Sequence, residues 1–248
     1  CGYAQVGLRL LPAAPHESEY PILTDQHLIQ ETQAILNDTG VKVADVEIIG
    51  INPDFDEKKY SQFLDVAQQL GAKHILIAGN DSEQNRLIEN YAKFCELSKS
   101  YGLSCDLEFM PWTAVKNLTQ AQTIVEQTGQ SNAAVLIDSL HFDRSDSTLE
   151  QVQAIPASRL NYVQLCDGFA DYDPSDEGLI KIARNNRLVP GQGDIDLVAL
   201  IAALPKNITL AAEVPNLELA KLPALERARI NLQAIQALVA LANVDAVA

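Results

Sequence analysis

Positive charge is scarce: 18 Lys and Arg stand against 33 Asp and Glu, a net charge of −15 over 248 residues. A phosphate-backbone partner needs a basic stripe, so the shortage argues against nucleic acid. It leaves room for a small anionic substrate, which one local arginine can hold. Long apolar runs are missing as well. None approaches the ~18 residues of a membrane span, no signal peptide is visible, and the cytoplasm is the default compartment. Cysteine is sparse: Cys1, Cys95, Cys105 and Cys166 show no CxxC spacing, and buried free thiols in a reducing compartment are the expected state. No glycine-rich phosphate fingerprint follows any strand-like segment.

What is present is an apolar, repetitive chain. A hydrophobic content of 47% with 21% charged residues suits a globular fold with ample core. Strand-like segments at 3–10, 43–49, 74–78, 104–109 and 133–138 alternate with amphipathic helices predicted at 24–39, 56–70, 82–101 and 114–128. Gly40, Gly71, Gly102 and Gly129 each follow a helix and precede a strand, the place where a left-handed cap is cheapest for glycine. Further strands fall at 161–166 and 208–213, with helices at 175–186, 197–204 and 222–243. Strict βα alternation implies parallel strands and right-handed crossovers.

Seven strands fall one short of a closed (β/α)8 barrel. The opening Cys1-Gly2 has the look of a helix cap, so a strand and helix of about 25 residues are expected upstream. The rival is an open doubly wound sheet. The acids decide against it, because they sit on consecutive strands, whose tips face one point only around a closed barrel. The chain is therefore read as one α/β TIM barrel domain over 1–248, with a lid-like insertion at about 168–193.

In such a barrel the C-terminal strand ends carry the chemistry. Those ends hold Arg9, Glu47, Asn80, Glu108, Asp138, Gln164 with Asp167, and Glu213. Each of Glu108, Asp138 and Glu213 closes an apolar run, and a carboxylate there calls for a cation. Together with Gln164 they make a hard oxygen site for one divalent ion, Mn²⁺ or Mg²⁺ before zinc. The bland alternative is four independent helix caps or loop partners. Arg9 could hold a substrate carboxylate or phosphate, or pair with Glu47. Arg184 and Arg187, beside the glycine turn of the insertion, are the other anion candidates. His16 and Trp112 are placed to roof the pocket, whereas His27 and His74 read as structural.

The motifs Leu107-Glu108-Phe109, Asp138-Ser139-Leu140-His141, Val163-Gln164-Leu165-Cys166-Asp167, Pro190-Gly191-Gln192-Gly193-Asp194 and Ala212-Glu213-Val214, in this order, resemble the xylose isomerase-like barrels, which include sugar-phosphate isomerases and epimerases. The resemblance implies that Glu108, Asp138, Gln164 and Glu213 hold one divalent ion. It also implies an isomerase or epimerase of a small sugar, sugar phosphate or hydroxy-ketone. In that chemistry an ion chelated by a carbonyl and its neighbouring hydroxyl acidifies the C–H between them and stabilises the enediolate. Glu108 and Glu213 would flank that carbon as base and acid, with His141 on a substrate oxygen. The oligomeric state stays open, a homodimer being common among such barrels.

Gln164 departs from the histidine usual in the epimerases and matches the 3-dehydroshikimate dehydratases built on the same barrel, so a lyase is the first alternative. A degenerate binding protein is the second, supported by Gln164 and Gln192. A DNA-repair endonuclease of this barrel type needs a histidine-rich site and a basic groove, and four histidines with −15 net charge argue against it.

Overall fold

A computed structural model describes residues 1–13 and 20–245, with side chains to residue 242; His16 lies outside the described residues. Seven strands form one parallel sheet in sequence order: β1 (Gln5–Arg9), β2 (Lys42–Ile51), β3 (His74–Gly79), β4 (Ser104–Glu108), β5 (Ala133–Asp138), β6 (Leu160–Leu165) and β7 (Thr209–Ala212). Among the described residues no ladder joins β7 to β1, so the barrel is nearly closed, with one open seam. The Tyr3 hydroxyl donates to the Ala228 carbonyl at 3.0 Å and ties the chain start to the last helix.

The helices α1 (Gln26–Thr39), α2 (Ser61–Gln69), α3 (Gln84–Lys99) and α4 (Leu118–Gln127) follow β1 to β4. Gly40, Gly71, Gly102 and Gly129 take φ of 72, 77, 72 and 65°, the left-handed cap expected of them. Two five-residue helices, α5 (Ser139–Asp143) and α6 (Leu149–Gln153), fill the gap before β6. They are too short to show periodicity in sequence. Then come α7 (Asp176–Asn185), α8 (Leu197–Ala203) and α9 (Ala224–Asp245). No helix among the described residues is long and apolar enough to cross a membrane.

Alternation along each strand builds two cores. Outward residues such as Ile75, Ile77, Cys105, Leu107, Val135, Ile137 and Val163 pack beneath the helices. The buried Tyr91 of α3 donates its hydroxyl to the Cys105 carbonyl at 2.7 Å, which fixes the helix to β4. Inside the barrel Leu76, Leu136 and Tyr162, with Ile48 and Ala211 against them, make an apolar plug. Beneath the plug lies a polar layer. Asp106 accepts from Ser104 and, at 2.7 Å, from Asn161, while His74 bonds Ser104 at 2.7 Å. His74 thus sits at the barrel base in a structural role, and His27 lies exposed on α1 beside Glu31.

One strand end is corrected. Glu47 is not at the tip of β2, which runs on to Ile51. The register shifts between Val46 and Ile49, and Gly50, a natural stopping point in sequence, continues the strand. The tip of β2 therefore offers Asn52 rather than Glu47. Cys95, Cys105 and Cys166 are buried free thiols and Cys1 is an exposed one.

Candidate active site

The top of the barrel opens into a cavity of about 920 Å³ whose lining includes Arg9, Asn80, Glu108, Trp112, His141, Arg184, Arg187 and Glu213. Glu108 is the last residue of β4 and Asp138 the last of β5. Gln164 is paired in register with Asp138 on one side and Ala211 on the other. Glu213 follows β7 directly and donates its amide to the Leu165 carbonyl at 3.1 Å. The four expected donors therefore do lie on four neighbouring strands at one end of the barrel.

Asp138 explains why His141 follows it by three. Its Oδ1 accepts the amides of Leu140 at 2.9 Å and His141 at 3.1 Å, capping α5 and turning its first turn back over the site. His141 Nε2 comes to 3.5 Å from Glu108 Oε1. Donor atoms of Glu108, Asp138 and His141 lie within 4.8 Å of one another, all three residues buried. His141 is thus a ligand candidate as well as a substrate contact. Trp112 meets its ring edge-on, with centroids 4.9 Å apart and planes at 85°. The loop carrying Trp112 is set down close to the sheet, because a Cβ on Gly79 would stand 2.5 Å from Val115 Cγ2.

Arg187 is the unexpected neighbour. Sequence placed it near the insertion's glycine turn. The structure buries it to 3% exposure, with Nη1 in an ion pair with Asp138 Oδ2, 3.2 Å from Glu213 Oε2 and 3.4 Å from Cys166 Sγ. Arg184 stays exposed at the cavity rim. Arg9 pairs with Glu47 through Nη2 at 2.7 Å and Nε at 3.2 Å, the second of its two expected readings. Asp167 is buried and accepts the amides of Gly168 at 2.9 Å, Gly191 at 2.9 Å and Ile195 at 3.1 Å, so it staples the chain. That staple, with the bridges Asp167–Leu188 and Asn186–Asn216, pins the far half of the segment read as a lid. Asn52, Tyr60 and Met110 also line the cavity; their residue types carry no signal of that role.

Burial dominates the electrostatics. It raises the Glu108 carboxyl well above the usual range, and the charges of Glu213 and Asp138 add to that. Glu213 is pushed up to about 8 by burial and by Asp138 and Glu47, against the pull of Arg187. Asp138 suffers the same burial, yet Arg187 and His141 hold it down at about 2. Burial keeps His141 neutral, its pKa lowered to about 4. Two carboxyls that resist ionising beside a third that is charged form a site short of positive charge.

Those residues fit a divalent ion. No hydrogen bond reaches the buried Gln164 Oε1 or His141 Nδ1, and a buried polar atom without a hydrogen bond marks a place for water or an ion. The donors are carboxylate and amide oxygens with one imidazole at hand, suited to a hard or borderline cation.

Residues 1–238 match the family described as xylose isomerase-like TIM barrel. The chain belongs to that family. Among its curated relatives, an inosose isomerase of Bacillus velezensis is 26% identical over 204 residues, covering 74% of this chain and 71% of that one. A 3-dehydroshikimate dehydratase of Pseudomonas aeruginosa is 26% identical over 162 residues, 63% of this chain but only 24% of the dehydratase. Among solved structures, the IOLI protein with a binding zinc atom superposes with a TM-score of 0.78 at 19% identity, covering 96% of this chain and 88% of that one. An L-ribulose 3-epimerase gives 0.69 at 18%, covering 99% and 87%. At those identities the superpositions establish the shared barrel fold.

Proposed function

We propose that this barrel is a divalent-metal-dependent isomerase or epimerase of a small polyhydroxylated ketone. The observation that carries the reading is the acid cluster, in which Glu108 and Asp138 are buried and Glu213 is 21% exposed. Glu108 and Glu213, from β4 and from the end of β7, border one cavity, and both have carboxyls raised by burial. The inosose isomerase and epimerase relatives support the substrate class.

Glu108, Asp138, Gln164 and Glu213 would hold the ion, with His141 within reach of two of them. Bound there, a divalent ion supplies Lewis-acid polarisation of a ketone oxygen and its neighbouring hydroxyl. The protein's own residues handle the proton. Glu108 and Glu213 both border the cavity, which places one carboxylate to remove the proton from the carbon and the other to restore it. Neutral His141, its ring held by Trp112, hydrogen-bonds a substrate oxygen. The cavity of about 920 Å³ falls within the range of small-molecule sites and leaves room for a cyclic polyol.

The second reading is a dehydratase-type lyase, favoured by Gln164 and by the 3-dehydroshikimate dehydratase relatives. One pair of incubations separates the two. With Mn²⁺ and an inosose in D₂O, NMR should show deuterium entering beside the carbonyl and a new isomer appearing. With 3-dehydroshikimate, the catechol absorbance of protocatechuate should stay absent. Protocatechuate formation with no exchange into the inosose would reverse the order of the two readings.

A further inference from the structure

The cradle already contains a cation of its own. Arg187 is held there by its backbone: its amide donates to the Pro215 carbonyl at 3.1 Å, and Asn216 Nδ2 donates to its carbonyl at 2.8 Å. Its Nε donates to the Ala183 carbonyl at 2.8 Å, which aims Nη1 at Asp138 Oδ2 and Glu213 Oε2. Asp138 has no second oxygen to spare, because Oδ1 is engaged by the amides of Leu140 and His141. An ion ligated by Asp138 and Glu213 would take the oxygens that now face the guanidinium. Two cations sharing one pair of oxygens in a poorly screened interior repel strongly.

We infer that Arg187 is the resident counter-ion of the cradle, competing with a divalent ion for Asp138 Oδ2 and Glu213 Oε2 and withdrawing toward the cavity when that ion enters. The inference rests on the reading of the cradle as a metal site. The direction of withdrawal follows from the lining, since Arg187 borders the cavity. The pinned backbone confines the movement to the side chain. In the metal-free protein the guanidinium balances the Asp138 charge and faces Glu213, so the site stays assembled while it waits for the ion. The cost is a weaker apparent affinity, because each binding event must displace an ion pair.

Isothermal titration of chelator-treated protein with Mn²⁺ tests this. Arg187→Met, which keeps the length and removes the charge, should bind Mn²⁺ at least tenfold more tightly than wild type. Equal or weaker binding by Arg187→Met, with wild type still binding, overturns the competition and leaves the cradle intact. Absence of Mn²⁺ binding in both proteins overturns the cradle and the inference together. A second measurement uses wild type alone and does not depend on the variant folding. Phenylglyoxal modification followed by peptide mass mapping should find Arg187 protected in chelator and reactive at saturating Mn²⁺. Protection that persists with Mn²⁺ bound contradicts the withdrawal.

Discussion

Asp45 lies under the candidate site, inside the barrel, and its replacement by asparagine offers a quantitative test of the buried-charge reasoning. The residue is 3% exposed and its Oδ2 has no hydrogen bond. Burial, then the charges of Glu47 and Asp106, push its carboxyl from 3.8 up to about 8. The folded protein therefore keeps a proton on Asp45 that the unfolded chain has released, so stability falls as pH rises from about 4 toward 8. Each pH unit inside that window costs about 1.4 kcal/mol for one group. Between pH 5 and pH 8 the penalty grows by at most about 4 kcal/mol, and relaxation around the charge reduces this to about half.

Asparagine keeps the shape and never ionises. Asp45→Asn should therefore gain about 2 kcal/mol more stability at pH 8 than at pH 5. For a chain of this size that is a rise in Tm of roughly 4–8 °C at pH 8 relative to the shift at pH 5. Thermal melts of both proteins at the two pH values, in chelator, supply the comparison. An equal shift at both pH values, or a loss confined to pH 8, would refute the assignment of Asp45 as a neutral buried acid.

Other outcomes follow from single contacts. Glu108→Gln should abolish turnover and weaken Mn²⁺ binding together; unchanged affinity by calorimetry would mean the cradle is misplaced. Asp167→Ala removes the acceptor of three backbone amides and should cost about 2–4 kcal/mol by urea denaturation, since each buried donor left unmade costs about 1–3 kcal/mol before local relaxation. Gly7→Ala should destabilise by about 1–3 kcal/mol through overpacking, because its Cβ would stand 2.7 Å from Asp45 Oδ1; melts at pH 5 give the reading. Trp112→Ala should leave the fold intact by circular dichroism and lower kcat, because the His141 ring loses its edge-on support.

The barrel was legible because its signals are local and repeated: a short apolar run, an amphipathic stretch and a glycine stop. The candidate site was legible where a carboxylate closes an apolar run, as at Glu108, Asp138 and Glu213, which the fold brings to one end of the barrel. The misplaced strand end at Glu47 came from reading the strand as 43–49, when β2 runs through an irregular register to Ile51. α5 and α6 escaped because five residues hold no full period of helical pattern. The insertion of Arg187 into the cradle joins side chains 49 positions apart in sequence, and no spacing rule reaches that far. The neutral lining residues Asn52 and Tyr60 are fixed by where β2 ends and how its loop returns.

The central claim is one divalent ion held by Glu108, Asp138, Gln164 and Glu213. Crystals soaked in Mn²⁺ and measured at the manganese edge test it most directly. A single anomalous peak is expected within about 2.0–2.6 Å of an oxygen from each of the four residues, the range spanned by hard-cation ligands. No peak at the cradle, or a peak that Gln164 and Glu213 do not reach, would contradict it.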